Sequence, residues 1–550
     1  MKKNEKTFRG AIVAALLAAA FALLTTARAG DPAVTVVTGP DAPPLEAFAA
    51  KEMTGLLERL FEAEVTVRPE VPDDAKHLIF LGSPETNPAV AKWAGEAWPN
   101  DLGDQGHLLK SVAKEGEIVL IVGGGSPVAT LWAVYEFGHH IGMRYTLHED
   151  FPPVEAPEFR LSGFDESFSP NLAVRAWRTI DAGAAGQASW GIEEHRRLLG
   201  QLAKLKFNRV VLATHPWQPF YDFESGETPK TGGVLWEGGE FPVSGDTAGR
   251  AVFDGAEVFE NPDFSGKTTD AERVAAAREL GRGILSAARE LGMTAAFESE
   301  GAADPEIETI ALSQPRGGVL PQFSTAGLPD KLDEIREEEK RGFAVKCWIP
   351  GSLDPGVYYL SRAAFDAGIT PREALASLVT PICGDGVAER LATGFAAIEE
   401  VSALIESEDP DFAVPDPAMF LKHYASAEPA PEWWGRAAEL YGAAVNEMYR
   451  GNTRAREGAR PFLLYHAKVF TFALHYMTAV SAAREAGIAR EAKDAEAWAG
   501  QLEAAAEALH NALGIYADVA RDNSDRGVIA VLNEYAYRPV LEELDQVPLE

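Results

Sequence analysis

Apolar and polar positions along this chain follow two rhythms that change with position. Val34 to Val37 is a short β-rich run. Leu45 to Phe61 then repeats at helical spacing, with Phe48, Met53, Leu56, Leu57 and Leu60 on one side. Val65 to Val67, His77 to Leu81 and Ile118 to Val122 read as strands, and Pro127 to Ile141 as a helix. Strands alternating with helices predict a compact α/β domain over residues 30–160. Phe151 to Pro170 is punctuated by prolines and reads as a linker.

A second βα rhythm follows over residues 161–370. Ala173 to Ile180, Phe207 to His215, Met293 to Phe297, Gly318 to Pro321 and Phe343 to Ile349 read as strands. Glu193 to Leu205, Ala271 to Leu291 and Lys331 to Arg341 read as the helices between them. The alternation predicts parallel βα units, hence an α/β barrel of the (β/α)8 type or an open doubly wound sheet. Five strands fall short of the eight a full barrel needs, so a shortened or incomplete barrel is expected. Residues 218–265, Gly-rich and aromatic, read as an insertion with its own hairpins. Residues 371–550 turn Ala-rich and helical, and no internal repeat is visible.

Composition narrows the function. The formal charge is −33, from 83 acidic and 50 basic residues, which excludes a nucleic-acid partner needing a broad basic face. It equally disfavours adhesion to anionic membranes. Residues 1–29 have the form of a signal peptide: Lys2, Lys3, Lys6 and Arg9, then apolar Ala11 to Leu24, then Ala27-Arg28-Ala29. Export to the periplasm or outside the cell is expected, with no membrane insertion after cleavage. The two cysteines, Cys347 and Cys383, do not make a disulfide framework. No zinc motif occurs, no metal is expected, and no cofactor is called for. Gly123-Gly124-Gly125 lacks the spacing of a nucleotide fingerprint and reads as a turn.

In parallel βα architectures, reactive groups sit at the C-terminal ends of strands. That rule selects Arg178 and Asp181, His215 and Trp217, Glu298 and Glu300, and Trp348 and Asp354. Asp354 followed by Pro355 also suits a helix start. Arg175 and Trp177 lie within the first of these strands.

Several segments resemble one group of enzymes. The strand IVLIVGGG, then ATLWAVYEF, then IGMRY and a Pro-containing exit resemble the accessory N-terminal domain of family 20 glycoside hydrolases (β-hexosaminidases) and of α-glucuronidases. Asn171 to Gly183 resembles the first barrel strand of hexosaminidase-like enzymes, with Arg175 and Asp181 near the positions of its R-G-x-x-x-D. FNRVVLATHPW resembles their second strand, and His215 matches its His. SDRGVIAVLNEYAYRP at 524–539 is similar to the helical C-terminal regions of α-glucuronidase-like enzymes. The hexosaminidase Asp-Glu dipeptide has no counterpart here, so that chemistry is not carried over.

The resemblance implies a glycoside hydrolase acting on an oligosaccharide or polysaccharide. Such cleavage uses two carboxyls, one as proton donor and one as base or nucleophile. Residues two apart on a strand share a face, so Glu298 and Glu300 are candidates for the pair, with Asp181 as an alternative partner. Arg175, Arg178, His215 and Asp354 would hold the sugar, and Trp177, Trp217 and Trp348 would stack on it. A catalytically degenerate glycan-binding protein on the same scaffold is the alternative.

Overall fold

The computed structural model describes residues 32–73, 75–114, 116–179, 183–214, 220–225, 228–233, 239–299, 304–312, 318–412 and 414–548. The expected signal peptide lies outside them, as do Asp181, His215, Trp217 and Glu300.

The first sheet has six strands: β1 (Ala33–Val37), β2 (Glu64–Arg68), β3 (His77–Leu81), β4 (His107–Lys114), β5 (Glu117–Gly124) and β6 (Asp165–Phe168). Their spatial order is β2-β1-β3-β5-β4-β6. β1, β2, β3 and β5 run parallel, while β4 is antiparallel to both β5 and β6. Strand alternation divides the core. Val36, Ile79, Leu81, Leu120 and Val122 face helices α1 (Pro44–Phe61) and α3 (Pro127–His140). Val37, Leu78, Phe80, Val119 and Ile121 pack on the other face against α2 (Pro88–Ala94). The presumed linker is thus part sheet: β6 adds an edge strand, with Lys110 and Asp165 paired at 2.7 Å. Its short, polar sequence (DESF), with Asp165 and Ser167 exposed, hid the strand.

The triglycine turn is a packing device. A Cβ at Gly125 would lie 1.9 Å from the Gly103 carbonyl oxygen, and one at Gly124 2.4 Å from the Ala129 backbone. Only hydrogen fits there.

The second sheet has five parallel strands: β7 (Val174–Thr179), β8 (Arg209–Thr214), β11 (Thr294–Ser299), β12 (Ile307–Ala311) and β13 (Gly342–Lys346). The order is β11-β8-β7-β13-β12. The first strand therefore sits between the second and the last, as it does in a barrel. Among the described residues β11 and β12 do not pair, so five strands form an open sheet and eight-stranded closure is not seen. The expected strand at 318–321 is absent. Ile307–Ala311 takes its place, and its Glu308 is paired with Lys331 and Lys340. Pro321, lacking an N–H, could not have completed a ladder at 318–321, and its carbonyl accepts from the Tyr441 hydroxyl.

Helices α4 (Ile192–Lys204), α5 (Asp270–Glu290) and α6 (Leu328–Glu337) cover one face of this sheet, burying Trp177, Val210, Leu212, Phe343 and Val345. Between β8 and α5 lies the insertion, with the antiparallel hairpin β9 (Phe220–Ser225) and β10 (Thr228–Gly233). Helix α7 (Asp354–Ala363) follows β13.

From Pro371 the described chain is helical: α8 (Pro371–Cys383), α9 (Ala388–Glu408), α10 (Met419–Ser426), α11 (Glu432–Arg454), α12 (Arg460–Ala492), α13 (Ala495–Ala517), α14 (Asn523–Leu532) and α15 (Arg538–Asp545), with a π-helical turn at Asn533–Tyr537. No helix among the described residues is long and apolar enough to cross a membrane. Cys347 and Cys383 are both buried free thiols.

Candidate functional site

Because register-paired residues of parallel strands share a face, the ladder shows which side chains meet. Val174, Ala176, Val211, Ile307 and Ala344 form a small apolar patch on the face turned away from the helices. Arg178, two residues beyond Ala176, continues this face, as do Lys346 (opposite Arg178) and Glu298 (opposite Ala213). Arg209, opposite Ala176, lies at its other end.

These charges form one network. Arg178 donates to Glu298, and each of the two side chains is 10% exposed. Arg209 lies 3.8 Å from the same carboxylate and 3.6 Å from Asp304. Lys346 sits 5.5 Å from the centre of the half-buried Trp348 ring, and among the described residues it has no carboxylate partner. Three cations thus face two carboxylates, although the whole chain is strongly acidic.

The sequence-selected residues divide accordingly. Arg178, Glu298 and Trp348 are brought to this face. Arg175 and Trp177 are not: strand parity turns both toward the helices, where they are fully buried. The Arg175 guanidinium donates to the Lys206 and Leu172 carbonyls and lies between the Trp132 and Phe365 rings, 5.1 and 5.0 Å from their centres. Burial pulls its pKa down to about 9. Trp177 donates its indole N–H to Gln187. Neither is placed to touch a sugar, which corrects that expectation.

Asp354 is also buried. It sits in the first turn of α7 and accepts from the Leu147 amide at 2.7 Å, tying the first domain to the second sheet. Its surroundings form a second polar cluster that sequence reading missed. Asp522 caps α14 through the Ser524 and Asp525 amides and binds His148 Nε2 at 2.9 Å. Asp525 accepts from the Tyr465 and Tyr516 hydroxyls, each at 2.9 Å, and from the Arg521 amide. The Arg521 guanidinium lies on the Tyr465 ring and donates to the Gly351 carbonyl. Glu194, on α4, accepts from the Asn523 amide at 2.8 Å.

The electrostatics of this cluster are uneven. Burial raises Asp522, but the His148 hydrogen bond and charge outweigh it and hold that carboxyl below its ordinary value. Burial and the Asp522 charge raise Asp525. Burial, then Asp522, push Glu194 up to about 7.

Arg209, Asp304 and Lys346 were also missed. Strand parity would have found Lys346, but Arg209 lies at the start of its strand and enters only through the reach of its side chain. A cavity of about 550 Å³ lies elsewhere, between α7, α8 and α9, and none of these charged residues lines it.

The chain is similar to a family 115 4-O-methyl-α-glucuronidase with specificity for decorated arabinogalactans, at 12% identity over 91% of this chain and 79% of that one, with a TM-score of 0.48. It is similar to a family 89 glycoside hydrolase from Clostridium perfringens, solved with GlcNAc-α-1,4-galactose (9% identity, 92% and 76% covered, TM-score 0.47). A family 138 enzyme targeting pectin rhamnogalacturonan II gives 9% identity, 94% and 100% covered, and a TM-score of 0.45. No curated protein matches. Residues 23–137, most of the first sheet domain, match the N-terminus of glycosyl hydrolase family 67.

Proposed function

We propose that this chain is an exported glycoside hydrolase, of α-glucuronidase-like rather than hexosaminidase-like type, acting on an oligosaccharide or polysaccharide that carries an acidic sugar. The observation that carries the reading is the Arg178–Glu298–Arg209 network on the helix-free face of the second sheet, with Lys346 beside it. A sugar carboxylate is a natural partner for such clustered cations. Trp348 offers an aromatic face at the same strand end. Glu298, held in place by the Arg178 and Arg209 guanidiniums, suits the base or nucleophile role. Glu300, two residues on, is left as the proton donor, and Asp181 as an alternative. His215 and Trp217 would supply further contacts.

The test is a panel of glycans with and without uronic acids, assayed with the full chain and with Glu298→Gln and Glu300→Gln. Release of sugar from uronate-bearing glycans alone, lost at least 100-fold in Glu300→Gln, is the expected result. Turnover of neutral glycans only would remove the acidic-sugar assignment. Because Glu298 is already ion-paired, a glycan-binding protein without turnover is the second reading. Saturable binding with no product on any substrate would favour it.

A further inference from the structure

We propose that the cavity between α7, α8 and α9 is a separate binding site for a small, flat, apolar ligand that carries a hydrogen-bond donor or a positive charge. At about 550 Å³ it has the size of an ordinary small-molecule pocket. Its walls come from several elements between residues 312 and 399. Leu312 directly follows β12, Phe323 lies in the loop that follows, Leu353 precedes α7, Leu375 is on α8 and Phe395 on α9. All five are buried. The cavity thus opens beside the carboxyl end of a parallel strand, where α/β sheets generally take ligands.

The charged residues of the lining are Glu399, Glu389 and Arg372. Glu399 is fixed by its Oε1, which accepts from the Thr325 amide at 2.7 Å and the Ala326 amide at 3.3 Å. Burial raises its pKa, so the carboxyl is short of water and gains from a donor. Glu389, also in the lining, is already bound by Arg372 at 2.6 Å. With Glu389 matched by Arg372, Glu399 is the carboxylate that disfavours an anionic ligand. Underivatised sugars, which need many hydrogen-bond partners, find mainly aliphatic and aromatic carbon. A flat aromatic amine or phenol matches both the walls and Glu399. This assignment stands apart from the proposed glycan site.

The full chain is titrated with N-phenyl-1-naphthylamine, a flat apolar N–H donor whose fluorescence rises out of water. A saturable increase with one site per chain is expected. Ala392→Trp and the more exposed Ala396→Trp fill the cavity, and each should weaken binding at least ten-fold with the melting temperature retained. Glu399→Leu should weaken it several-fold. No saturable increase, or wild-type affinity in folded Ala396→Trp, would overturn the proposal. Glycan turnover should be unaffected by Ala396→Trp, so the two sites fail separately.

Discussion

Arg178 and Glu298 are joined across a whole strand: β8 runs between β7 and β11, and the ion pair passes over it. The register explains the passage. Ala213 stands beside Glu298 and Val211 beside Arg178, so small and branched side chains leave the charges room to meet. Removing one partner strands the other in a nearly dry place. Glu298→Ala is expected to cost about 3 kcal/mol in denaturant unfolding. The double variant Arg178→Met/Glu298→Leu should cost clearly less than the sum of its single changes. Additive costs would show that the pair has no mutual energy.

Arg175 offers the opposite kind of test. It is buried among carbonyls and rings, far from the charged face, so its role is architectural. Arg175→Ala should destabilise by about 3 kcal/mol, because packing and two hydrogen bonds to carbonyls are lost together. Glycan binding by the folded fraction should be unchanged. A selective loss of glycan affinity with normal stability would contradict the placement.

The pH dependence should carry the signature of Glu194. Its folded pKa is raised to about 7 from an ordinary value of 4.5, chiefly by burial. A carboxyl that binds its proton more tightly in the folded state stabilises the fold fully below pH 4.5 and progressively loses that contribution as pH rises toward 7. Asp525, also raised, acts in the same direction, while Asp522, held low, acts oppositely at lower pH. Glu194→Gln should flatten the stability curve between pH 4.5 and 7 and gain up to about 2 kcal/mol at pH 8 relative to wild type. An unchanged slope in chemical unfolding at stepped pH would refute this.

Much of the architecture was legible from periodicity, because long amphipathic helices and apolar strands announce themselves. The strand at Ile307–Ala311 was not, since Glu308 interrupts its apolar run and finds its lysine partners only in the folded protein. The candidate site was half legible. Position at a strand end selected Arg178, Glu298 and Trp348, whereas Arg175 and Trp177 were proposed as sugar contacts from inside the first strand. Only face parity, which needs the register, separates the two sets. The His148–Asp522 cluster was invisible because its members lie 374 residues apart.

Gly527, on α14, is expected to be the most sensitive glycine of the helical region. A Cβ there would lie 1.7 Å from the Ala184 carbonyl oxygen, in the turn after β7. Gly527→Ala should force α14 away and cost about 2 kcal/mol or more, measured as a lower melting temperature. A fully stable variant would mean that the turn can move aside.

The residues around α14 also impose an order in time. Asp522 holds His148, Asn523 holds Ser189 from 334 positions away, and Asn533 holds Ala248 from 285 away. A ribosome releases the chain from its amino end, so both sheets and the insertion are synthesised long before their common latch exists. Until residues 521–533 emerge, only earlier ties such as Leu147 to Asp354 and Glu136 to Arg362 can join the first domain to the second sheet. A chain cut before residue 521 would leave every one of these junctions open.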